Sequence, residues 1–204
     1  MSSGAAVWQY IDQRVRQIAS RPGGKRCLAA LRFEGCLAEP ARPGETLPSL
    51  RWKRGALALL KALAFDSDLQ AVIISALPEA VVGRKLRRSG LRLDVVGSSA
   101  PCPQAEMIGP PLVLSDLDCG RCVRLLSSSS GFDCVFVISA SAEDAPMFRE
   151  GIGIMIGGGA SFARFTVQNL GEARAVLWSV SRTVRQRPAA PPLSSDRKNG
   201  SAAE

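Results

Sequence analysis

A set of short, uninterrupted apolar runs, separated by helix-forming segments, constrains this chain more than any other feature. Cys27 to Leu31, Ala71 to Ser75, Cys134 to Ile138 and Ile152 to Ile156 each have strand length and, apart from the terminal Ser75, no polar residue. A strand apolar on both sides must be buried on both sides, as in a parallel sheet covered by helices. Leu93 to Val96 is a further strand, Leu112 to Leu114 a short candidate, and Phe165 to Val167 a last edge. Between them lie helical patterns at 5–20, 51–65, 78–89, 118–127, 142–150 and 171–185. The first carries Val7, Ile11, Val15 and Ile18 on one stripe and is stopped by Arg21-Pro22-Gly23-Gly24. Strands alternating with helices predict an α/β three-layer sandwich around a mostly parallel sheet. The chain divides into an N-terminal amphipathic helix and linker (1–24), an α/β core (25–185) and a Pro-, Ser- and charge-rich tail (186–204) expected to be disordered.

Composition removes several function classes. The chain has no histidine, which excludes Ser-His-Asp and Cys-His catalysis and most zinc sites. Its six cysteines sit in a chain whose N-terminus lacks a long apolar run, so a cytoplasmic protein with reduced thiols is expected. Cys119-Gly-Arg-Cys122 matches C-x-x-C and leaves open a redox pair, half a zinc site, or two small residues on the first turn of a helix. The net charge of +8 suits an acidic partner. Few aromatics accompany the basic residues, so a solvated basic face at Arg84, Lys85, Arg87 and Arg88 is preferred over a nucleic-acid site, and no membrane association is expected. The glycines at 151, 153 and 157–159 have the wrong spacing for a dinucleotide loop.

In wound parallel sheets the working site lies at the C-terminal ends of the strands. The residues there are Arg32 to Cys36, Ser75, Gly97 to Ser99 and Ser139 to Asp144. Their order resembles the haloacid-dehalogenase superfamily. Leu31-Arg32-Phe33-Glu34-Gly35-Cys36-Leu37 stands where those enzymes carry D-x-D-G-[TS]-L, and Ser75 where the second strand ends in Ser or Thr. Asp118-Cys119-Gly120-Arg121 resembles the D-K-G-x helix start, and Ser139-Ala140 through Glu143-Asp144 resembles the acidic segment that holds magnesium. Within the superfamily, Gly97-Ser98-Ser99-Ala100 and the stretch from Gly153 to Phe165 are similar to trehalose-6-phosphate phosphatases. The resemblance spans about residues 25–180 and rests on motif order.

What the resemblance implies is a fold without its reaction. The family's phosphoryl transfer needs a carboxylate nucleophile, a second carboxylate two residues on, magnesium, a lysine and a hydroxyl. Here Arg32 takes the nucleophile position, and a guanidinium has no lone pair to attack phosphorus. Glu34 keeps a carboxylate, Cys36 replaces Thr, Cys119 replaces the lysine, and Ser139 and Ala140 replace the metal aspartates. Glu143 or Asp144 remains as a nearby acid, and Cys36 has no base beside it in sequence to make it a substitute nucleophile. No metal ligands and no cofactor are therefore expected. Only Ser99 to Leu117 separates the second and third motifs, too short for the family's cap domain, so the cap is expected to be largely absent.

The expected function is a non-catalytic, trehalose-phosphatase-like domain acting by binding or scaffolding. Trehalose-pathway enzymes are its implied protein partners, and phosphate or another anion at Arg32 and Ser75 its implied ligand. The alternative is a phosphomonoesterase of trehalose biosynthesis with weak residual activity.

Overall fold

The computed structural model describes residues 3–20, 27–39, 50–98, 113–129, 132–159 and 161–186. Six strands form one sheet in the order β3-β2-β1-β4-β5-β6, and every neighbouring pair is parallel. They are β1 (Cys27–Arg32), β2 (Leu69–Pro78), β3 (Asp94–Ser98), β4 (Cys134–Ser139), β5 (Ile152–Ile156) and β6 (Phe165–Val167). The helices are α1 (Ser3–Ala19), α2 (Ala56–Ala64), α3 (Glu79–Arg88), α4 (Asp116–Ser129), α5 (Ala145–Phe148) and α6 (Leu170–Gln186). The architecture is thus the α/β three-layer sandwich expected, with an entirely parallel sheet.

The central strands explain the apolar runs. All six positions of β1 and all six of β4 are buried, and alternate residues serve opposite layers. Cys27, Ala29 and Leu31 face one core with Leu59, Leu60 and Leu63 of α2, Val82 and Leu86 of α3, and Ala173 and Leu177 of α6. Leu28 and Ala30 face the other, with α4 through Cys122, Val123 and Leu126. The stripe Val7, Ile11, Val15 and Ile18 of α1 is buried in that second core, so the N-terminal helix packs as part of the folded body. Arg14 and Tyr10 fasten it, both to Glu79 and one each to the carbonyls of Val95 and Gly97.

Several element boundaries differ from the sequence expectation. The helix expected over 51–65 begins only at Ala56, because the preceding residues join a small bridge. Glu39 N–H donates to Arg51 and Lys53 N–H to Leu37, both at 2.9 Å. Gly55, at φ +86°, then turns the chain into the helix. Val113 and Leu114 form no strand, and Leu112 lies outside the described residues. The 142–150 helix is a 3-10 turn, Ala142–Asp144, followed by the four-residue α5. Residues 187–204, and 99–112 where the cap expectation falls, lie outside the described residues. Among the described residues, no helix is long and apolar enough to cross a membrane.

Candidate functional site

The site is set by where the two central strands stop. Arg32 is the last residue of β1, in register with Ile74 of β2, and Ser139 is the last of β4. Beyond Arg32 the chain folds tightly on itself, with the N–H groups of Leu37 and Ala38 both donating to the Phe33 carbonyl. That turn needs a left-handed residue, and Gly35 supplies it at φ +68°. Lys53 donates to the Gly35 carbonyl from the neighbouring loop. The result turns Glu34 back toward the strand ends.

From the other side α4 and α5 approach unusually closely. A Cβ on Gly120 would stand 2.8 Å from the Pro146 backbone, so only glycine allows this packing. The start of α4 is fixed by a reciprocal cap: Ser115 N–H donates to the Asp118 carboxylate at 3.1 Å, and Asp118 N–H to the Ser115 hydroxyl at 3.3 Å. Cys119 and Asp116 are thereby aimed at the end of β1.

Arg32 occupies the centre. Its Nη1 donates to Cys119 Sγ at 2.7 Å and its Nη2 to Asp116 Oδ1 at 3.2 Å. Its Nε lies 3.2 Å from Glu34 Oε2 and 3.5 Å from Asp144 Oδ1. The Arg32 side chain is 9% exposed and that of Asp144 2%, while Asp116 reaches solvent at 45%. Burial works against the charged guanidinium, but the Cys119 thiol and the three carboxylates outweigh it and raise its pKa. Burial pushes the Asp144 carboxyl up, opposed by a hydrogen bond from Ser139 and by Arg32. Burial likewise pushes the Cys119 thiol up to about 12.

Ser75 donates to Glu34 Oε1, which also accepts from Leu77 N–H at 2.9 Å. Glu34 Oε2 is sealed from solvent and accepts no aligned hydrogen bond among the described residues. Both anion-binding candidates, Arg32 and Ser75, are therefore turned toward carboxylates.

The structure thus brings Arg32, Glu34, Ser75, Cys119 and Ser139 together, and it selects Asp144 over the exposed Glu143 as the remaining acid. Two predicted positions stand apart. Cys36 is a core residue whose thiol donates to the Ile138 carbonyl at 3.7 Å and is pushed up to about 12 by burial. Ala140 packs against the first core. Asp116 is the site residue that sequence reasoning missed. Its one signal was an acidic residue in the first turn of a helix, which the dipole favours anywhere.

No family model and no curated protein matches the sequence. Solved structures do match. The 3-deoxy-D-manno-octulosonate 8-phosphate phosphatase of Moraxella catarrhalis, in complex with magnesium and phosphate ions, aligns at TM-score 0.56 and 15% identity over 86% of this chain and 94% of its own. The cobalt-bound deoxy-D-mannose-octulosonate 8-phosphate phosphatase of Haemophilus influenzae aligns at TM-score 0.54 and 10% identity, over 79% and 92%. A phosphoserine phosphatase holding a phospho-aspartyl intermediate analogue aligns at TM-score 0.58 and 13% identity, over 74% and 99%. The chain has the fold of haloacid-dehalogenase-type phosphatases. A trehalose-6-phosphate phosphatase related protein is also among the matches, at TM-score 0.49.

These neighbours correct one expectation. Phosphatases of this fold are solved with magnesium or cobalt bound, so the expectation of no cofactor is withdrawn. In the arrangement described, the three carboxylates face a fixed cation, the Arg32 guanidinium.

Proposed function

We propose that this phosphatase-fold domain acts by binding, as a non-catalytic relative of the trehalose-phosphatase-like enzymes its motif order resembles. One observation carries the reading: Arg32 stands at the end of β1 with its guanidinium held by Cys119, Asp116, Glu34 and Asp144. A mobile arginine could swing away and uncover another nucleophile, but this one is buried and held by four groups. Of the carboxylates present, Glu34 Oε1 is engaged by Ser75 and Leu77, and Asp144 by Ser139. Both carboxylates are thus engaged by protein donors, and losing the covalent nucleophile costs several orders of magnitude in rate.

Binding then falls to the outer surface. The exposed Arg84, Arg87 and Arg88 of α3 have no ion pair among the described residues and offer a cationic face to an acidic protein partner, for which trehalose-pathway enzymes are the candidates. A phosphate-release assay on the full chain, with magnesium supplied and trehalose 6-phosphate among a panel of phosphomonoesters, tests the reading. Release should not exceed the protein-free blank. Multiple turnovers abolished by Glu34→Gln would overturn it.

A further inference from the structure

At the opposite end of the central strands, away from Arg32, two cysteines face each other. Cys27 and Cys134 are the first residues of β1 and β4 and are direct partners in the parallel register. Both side chains belong to the same core, so both thiols lie on one face of the sheet. Neighbouring strands run about 4.8 Å apart, inside the roughly 4.4–6.8 Å Cα separation that disulfides span. This rung is the last of its ladder, so a small closure of the two Cβ atoms can be absorbed at the strand ends without shearing the sheet. Cys134 is 8% exposed and Cys27 fully buried beside it, which gives a small oxidant one point of entry.

We propose that Cys27 and Cys134 form an intramolecular disulfide when the folded chain meets a peroxide, making the base of the sheet a redox modification site. Cys134 gives up its thiol proton and its sulfur attacks one peroxide oxygen; the O–O bond breaks, Cys134 becomes a sulfenic acid, and the departing hydroxide takes up the released thiol proton to leave as water. The Cys27 sulfur then attacks the Cys134 sulfur. The S–S bond forms, the S–O bond breaks, and the hydroxyl takes up the thiol proton and leaves as a second water. Two thiols are oxidised and one peroxide is reduced to two waters.

The hydrogen bond to Cys27, together with burial, holds the Cys134 thiol well above the ordinary cysteine range. The reaction is therefore slow at neutral pH and accelerates as pH rises.

The test is differential alkylation and peptide mapping of the full chain after incubation with hydrogen peroxide over a pH series. The expected result is an intact mass lower by two hydrogens and a reducible crosslink between the Cys27 and Cys134 peptides, formed faster at higher pH. The crosslink should survive Cys122→Ala and disappear in Cys134→Ala. Recovery of both cysteines as alkylatable thiols after prolonged exposure of the wild-type chain, or a crosslink of either to another cysteine, would overturn the proposal without recourse to any variant. Neither outcome depends on whether the domain hydrolyses phosphate.

Discussion

A guanidinium with only 9% of its side chain exposed is tolerable because a thiol and three carboxylates surround it, and those carboxylates are tolerable because it is there. Removing one side of a buried charge set strands the other. Arg32→Ala should therefore destabilise the fold by about 3 kcal/mol in urea unfolding, with most of the loss arising at Glu34 and Asp144. Asp116, half in solvent, contributes little. The double variant with Glu34→Gln should cost clearly less than the sum of the two single changes; strict additivity would show that the pair does not interact. Asp144 makes a second prediction. Burial raises its folded-state pKa, so the folded chain binds that proton more readily than the unfolded one. The stability tied to this group is full below the ordinary carboxylate range and is lost as pH rises through the raised pKa. From mildly acidic to neutral pH, the urea midpoint of Asp144→Asn should fall less than that of the wild type. An equal or steeper fall would contradict the assignment.

The elements that deliver these residues were unequally legible. β1, β4 and β5 could be read directly because runs such as Cys27 to Leu31 are buried on both faces and leave no competing pattern. Strand-end logic placed Arg32, Glu34, Ser75 and Ser139 at one site, and the motif resemblance added Cys119. Asp116 escaped, because its role depends on α4 pressing close to α5, and the only trace of that contact is a glycine. The choice between Glu143 and Asp144 escaped too, since a 3-10 turn buries one and exposes the other with no periodicity to announce it. Gly120 makes the close approach testable. In Gly120→Ala the new Cβ meets Pro146 backbone atoms that cannot swing aside. Urea unfolding should show a loss of about 1–3 kcal/mol, the range for overpacking a filled site. A neutral result would mean that α4 and α5 are not in the contact described.

At the scale of the whole molecule, fold and chemistry are written in different places. The six-stranded parallel sheet is encoded by buried runs and helix stripes spread along the chain, whereas chemistry on such a sheet depends on a handful of strand-end side chains. That separation lets a chain at 10–15% identity keep the architecture of its solved neighbours while ending β1 on a buried cation, Arg32. The central claim is that no covalent phosphoryl intermediate forms at the end of β1. Intact-mass measurement of the full chain after incubation with acetyl phosphate and magnesium tests it most directly. The account predicts an unmodified mass at every time point. A hydroxylamine-labile phosphoryl adduct mapping to Glu34 or Asp144 would contradict it.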